Sequence, residues 1–215
     1  MRQTFSIPFT AGAVGVLLSF AGQLNAGQPV PAFHAAPKEV VLRETPFDRG
    51  RHEFQAMAGT FFSVDHSPDL NYAVGTLRLG WMLSSPRGDG VFRGNCEFLL
   101  EVFGGGIFEG PGDGLAGATV LLRYNCVQPD ARFVPYLQIG AGGLYSDAHR
   151  DGAQRLIGEA FEFNLQASLG LRAFLSDKCA VSLEGGYRHI SNANLADRNV
   201  GVDSVGGQVG LSWFW

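Results

Sequence analysis

The chain is poor in charge. Only 17% of its 215 residues are charged, against about 25% in an ordinary soluble domain. It has no basic excess: 16 Lys and Arg stand against 20 Asp and Glu. A nucleic-acid footprint is therefore excluded. After the N-terminus no apolar run reaches the ~18 residues of a membrane helix. No stretch of useful length repeats with helical period. The three cysteines and five histidines show no metal-ligand spacing, and no metal or cofactor is expected. What the chain does have is glycine, 30 residues, and phenylalanine, 17 residues, within a composition that is 46% hydrophobic. That is too apolar for disorder, and the apolar residues come in short pieces. Such a chain is built of many short strands.

The first residues have the pattern of an export signal. Arg2 gives a small positive start, Ile7 to Ala21 is apolar, and Leu24-Asn25-Ala26 offers a small residue at a cleavage point. Residues 1–26 are expected to be removed and the mature protein to work outside the cytoplasm. Residues 27–50 carry Pro29, Pro31, Pro37 and Pro46 among mixed charges and read as an extended or plug-like lead-in. Residues 51–215 form the domain.

Eight strands are expected there, at about 52–63, 70–83, 95–108, 115–127, 132–146, 158–175, 178–191 and 203–215. Turn signals separate them, among them Ser67-Pro68-Asp69, Gly110-Pro111-Gly112-Asp113-Gly114 and Gln128-Pro129-Asp130. Parity within the strands is the most informative feature. From 161 to 173 the odd residues are Phe161, Phe163, Leu165, Ala167, Leu169, Leu171 and Ala173. The even ones are Glu162, Asn164, Gln166, Ser168, Gly170 and Arg172. One face is apolar and the other polar or glycine over thirteen residues. The polar faces carry Arg78, Glu97, Glu101, Arg123, Glu162, Arg172, Glu184 and Arg188, four acids and four bases. Charges so deep in strands must pair if buried. The expected fold is all-β: an eight-stranded antiparallel transmembrane β-barrel with a polar packed interior and an apolar outer band. A soluble ligand-binding barrel would reverse the two faces. With both ends of the barrel in the periplasm, the loops near 66, 111, 150 and 197 face the exterior.

Folding the hairpin about residues 111–112 puts Cys96 opposite position 126 or 127, so Cys96 and Cys126 are a candidate disulfide, with Cys179 left over. On strand seven, His189 and Ser191 share the outward parity of Val181, Leu183 and Tyr187. At i and i+2 they stand roughly 6.5–7 Å apart at Cα, within reach of a Ser–His hydrogen bond. An acid to orient the imidazole should come from strand eight. Asp203 has the outward parity of Val205, Val209 and Leu211. Glu184 points inward and is a poorer candidate. The three residue types are either a candidate Ser-His-Asp hydrolase site on the lipid face or polar residues at the barrel's interfacial rim.

Tyr187-Arg188-His189-Ile190-Ser191-Asn192-Ala193, followed by Asn199-Val200-Gly201-Val202-Asp203-Ser204 and a final strand ending in an aromatic, resembles the lipid A 3-O-deacylase family of outer-membrane barrels. The resemblance implies a serine esterase that removes an ester-linked acyl chain, at the 3-O position, from lipid A of outer-leaflet lipopolysaccharide. It implies Ser191 as nucleophile, His189 as base and Asp203 as acid, where the family often has Glu. Asn192 and Asn199 match family asparagines with a supporting or oxyanion role. The alternative is a non-catalytic small outer-membrane barrel with a structural or adhesive function. Either can exist as a homodimer.

Overall fold

The structure, a computed structural model, describes residues 45–64 and 69–215. The export signal, most of the lead-in and the Ser67-Pro68 part of the first turn lie outside them. Eight strands follow one another: β1 His52–Ser63, β2 Asn71–Met82, β3 Asn95–Glu109, β4 Gly114–Asn125, β5 Phe133–Ser146, β6 Phe161–Ser176, β7 Cys179–Ser191 and β8 Val202–Phe214. Each pairs antiparallel with its neighbour, and β8 pairs with β1, so the sheet closes and leaves no edge.

Alternation explains each strand. Along β6 the even residues Glu162, Asn164, Gln166 and Arg172 are buried, while Phe161, Phe163, Leu165 and Leu169 are exposed on the outer wall. β2, β7 and β8 follow the same rule. The wall is thus an apolar band and the interior holds the charges.

Most of those charges form two tiers, whereas Glu162 accepts the Gly158 and Glu159 N–H groups instead and Arg188 lies 3.6 Å from Glu101. In the first, Arg123 and Arg172 converge on Glu53 and Glu97, with Arg123 Nη1 2.9 Å from Glu53 Oε2 and Arg172 Nη2 3.2 Å from Glu97 Oε2. In the second, Arg78 bridges Glu101 at 2.6 Å and Glu184 at 2.7 Å, while Gln55 Oε1 accepts from Arg78 and Arg123 and links the tiers. Tyr136 lies between them, its ring under Arg123 and Arg172 and its hydroxyl donating to Glu184. Gly170 makes room for that ring: a Cβ there would sit 2.1 Å from Tyr136 Cζ. Removing these ions from water is costly, and only mutual pairing offsets it.

The interior differs from the expectation at both ends, where it is apolar. At the end with the chain entry to β1, Phe47 plugs the mouth against Met82, Val127, Val134, Ala180 and Phe214, with Phe174 beside them. Asn95 Nδ2 donates to the Phe47 carbonyl. Phe47 belongs to residues 45–50, the described part of the lead-in. At the opposite end Phe61, Leu70, Tyr72, Phe103, Leu144, Ile157, Ile190 and Val202 are among a second apolar cluster under the longer loops. Strand parity does not report these caps, because turns and loops folding over each mouth supply part of them.

The Cys96–Cys126 expectation is corrected. Cys96 faces Tyr124 and Asn95 faces Asn125, and all three cysteines are free. The β3–β4 turn centres on Gly110, whose φ of +105° only glycine adopts readily, rather than on 111–112. That moves the register by two residues and leaves Cys126 beyond the end of β4, where its N–H donates to Pro135 O.

Candidate active site

β7 and β8 build the site at the long-loop end. His189 and Asp203 are direct cross-strand partners, and Tyr187 pairs with Val205 in the next outward row. On the other flank His189 faces Leu165 and Ser191 faces Phe163 of β6. The intervening residues Arg188, Ile190, Val202 and Ser204 are buried. Parity therefore turns Tyr187, His189, Ser191 and Asp203 together onto the outer wall, with the His189 side chain 33% and the Asp203 side chain 41% exposed.

Asp203 Oδ1 lies 2.7 Å from His189 Nδ1, and His189 Nε2 lies 3.0 Å from Ser191 Oγ. A carboxylate can only accept, so Nδ1 must carry a proton to face it. In the neutral ring Nε2 is then the acceptor, and the Ser191 hydroxyl donates to it. This is the arrangement a nucleophilic serine needs: its base is unprotonated where it meets the hydroxyl, and the base in turn is oriented by an acid. Tyr187 adds a second donor to the same Asp203 oxygen.

The loop between β7 and β8 frames the serine. Ala193 and Asn194 both have positive φ, +52° and +63°, and turn the chain sharply after Asn192. Asn199 Oδ1 accepts the Asn192 N–H at 2.8 Å, and Asn199 Nδ2 donates to Asn194 Oδ1. The Asn192 side chain is buried and donates to Arg198 O at 3.0 Å. Both asparagines thus hold the loop. These hydrogen bonds place both asparagines in the loop that follows Ser191.

Sequence reasoning missed three contributors. Arg198 staples this loop to the β5–β6 connection, donating to Asp151 O at 2.8 Å and His149 O at 3.0 Å. Gly201 donates to Leu156 O and has φ +76°; a Cβ there would lie 3.5 Å from both His189 Cε1 and Ser191 Cβ, and 3.0 Å from Ile190 O. Tyr187 was legible only as lipid-facing. Its parity placed it beside His189, but no local signal joined it to Asp203. For Arg198 no local signal exists at all, since the partners of its guanidinium are loop carbonyls forty or more residues away. Near the site the wall is apolar: Phe163, Leu165 and Val205 are exposed around Tyr187, and Leu195 and Val200 project from the loop. Among the described residues no group of three or more His, Cys, Asp or Glu is arranged to hold a metal ion.

The family model described as lipid A 3-O-deacylase (PagL) matches residues 59–212. No curated protein sequence matches the chain. Among solved structures, Neisserial surface protein A (NspA) is similar, with a TM-score of 0.51 and 15% identity over 77% of this chain and 99% of that one. The outer membrane enzyme PagL is similar at a TM-score of 0.49 and 18% identity, over 74% of this chain and 97% of that one. The outer membrane protein OprG from Pseudomonas aeruginosa gives 0.45 and 13% over 80% and 99%. At this identity the likeness to NspA speaks for the β-barrel fold alone.

Proposed function

The chain belongs to the lipid A 3-O-deacylase (PagL) family, and from that membership we propose that it is a serine esterase that removes the 3-O acyl chain of lipid A in the outer leaflet, using Ser191, His189 and Asp203. The observation that carries this reading is the continuous hydrogen-bonded line from Asp203 through His189 to Ser191 on the lipid-facing wall.

The reaction follows from the line. Ser191 Oγ attacks the ester carbonyl carbon as its proton passes to His189 Nε2. Asp203 stabilises the imidazolium that forms. The tetrahedral intermediate collapses, the sugar oxygen leaves, and the proton on Nε2 goes to it. Water, deprotonated by the same nitrogen, then attacks the acyl-serine ester, and the fatty acid is released as the acyl–Oγ bond breaks and the proton on Nε2 returns to Ser191 Oγ. The wall of Phe163, Leu165, Tyr187 and Val205 would hold acyl chains while the ester meets Ser191 at the interface. A water-soluble substrate has no use for that placement.

Short turns of such barrels face the periplasm, so the long-loop end, and the site with it, belongs on the exterior side, with lipopolysaccharide of the outer leaflet as substrate. Mass spectrometry of lipid A after incubation with the refolded protein tests the reading. Loss of one 3-O acyl chain with the wild type, and intact lipid A with Ser191→Ala, is the expected result. Intact lipid A with both proteins would favour a non-catalytic surface barrel, and full deacylation by Ser191→Ala would remove the serine mechanism.

A further inference from the structure

We propose that Tyr187 is a fourth member of the site: a positioning residue that fixes the Asp203 carboxylate in the orientation His189 requires. The inference rests on the catalytic reading above and adds a residue to it.

Tyr187 precedes His189 by two positions on β7, so both side chains stand on the outward face. In the sheet register His189 lies opposite Asp203, and Tyr187 lies opposite Val205, one outward row toward the middle of the barrel. The carboxylate is therefore approached from two directions. His189 Nδ1 meets Oδ1 from its own row at 2.7 Å, and the Tyr187 hydroxyl meets the same oxygen from the row below. The phenol O–H donates and the carboxylate accepts. One oxygen held by two donors has little freedom to rotate away from the ring.

The position explains why such a hold is useful. Asp203 is a carboxylate on a lipid-facing wall, two residues from exposed Val205, which faces exposed Phe62 of β1. Hydrocarbon offers it no hydrogen bond, and an ion bordering an apolar medium is unfavourable unless donors satisfy it. Tyr187 supplies a donor on the membrane side of the carboxylate. When acyl chains cover the wall and displace water, that donor stays. The acid thus remains ionised and aimed at Nδ1 when substrate is bound, which is when the imidazolium must be stabilised.

A tyrosine at this depth has another common role, as an interfacial anchor of the aromatic belt. Tyr187→Phe separates the two, since it keeps the ring and removes the hydroxyl. The barrel should fold and show unchanged heat-modifiable migration and vesicle stability. KM for lipid A should stay within about twofold, and kcat should fall roughly 10- to 100-fold, the scale of one hydrogen bond to a charged group. Added to Asp203→Asn, the same change should cost less than about a further twofold, because the hydroxyl acts through the acid. An unchanged kcat in Tyr187→Phe overturns the proposal, as do losses that multiply in the double variant. Ser191→Ala, assayed alongside, keeps the two readings apart: if it is inactive while Tyr187→Phe is fully active, only the role of Tyr187 fails. If Ser191→Ala is active, the catalytic reading itself fails.

Discussion

Asp203→Asn is the most informative single change. It preserves shape and removes one charge facing His189 at 2.7 Å. The charge centres of carboxylate and imidazolium are about 4 Å apart, where a unit pair interacts by about 1 kcal/mol in water and about 4 kcal/mol at the effective dielectric near a protein surface. The Asp203 side chain is 41% exposed, which favours the low end. Bound acyl chains exclude water and move the value upward. A barrier raised by about 1–4 kcal/mol lowers kcat between about 5- and 1000-fold. A second effect acts in the same direction. An asparagine amide can donate to Nδ1, which forces the ring proton onto Nε2 and leaves no acceptor for the Ser191 hydroxyl. The upper limit is the roughly 10⁴-fold loss of a fully enclosed triad, which this half-open site should not reach. The assay is release of fatty acid from lipid A in mixed micelles, with kcat separated from KM and folding checked by heat-modifiable migration. A kcat within twofold of wild type, beside an inactive Ser191→Ala, would refute the role given to Asp203. Asp203→Glu should retain activity, since the charge facing His189 is kept.

The barrel itself makes two further predictions. Leu169 is 70% exposed and lies near the middle of the sixteen-residue β6; Leu169→Arg should destabilise the protein in phospholipid vesicles by about 2–4 kcal/mol, measured by denaturant titration. A neutral result would mean that this face does not meet lipid. Arg172→Met removes a cation from between Glu53 and Glu97 and should cost about 3–5 kcal/mol by the same measurement, while a hydrophobic replacement of Glu53, Glu97, Arg123 and Arg172 together should recover much of that loss.

The alternation of β2, β6, β7 and β8 is written in consecutive residues, so the sequence alone determined the strand number, the inward charges and the apolar wall. It likewise put His189, Ser191 and Asp203 on one face, because a period of two fixes the side of the sheet without knowledge of any partner strand. Register is different. It depends on where each turn closes, and the β3–β4 turn centred on Gly110 placed Cys96 against Tyr124 and beyond reach of the expected partner. The apolar caps depend on what folds over the mouths, so Phe47 could not be assigned to the core from its own neighbours in the chain. The same holds at the site. That Asp203 lies directly opposite His189, that Tyr187 reaches the same carboxylate oxygen, and that Arg198 ties one loop to another are pairings between distant residues. The first two exist only once the β7–β8 hairpin takes its register, and the third only once the two loops meet, which is why the three-dimensional structure decided them.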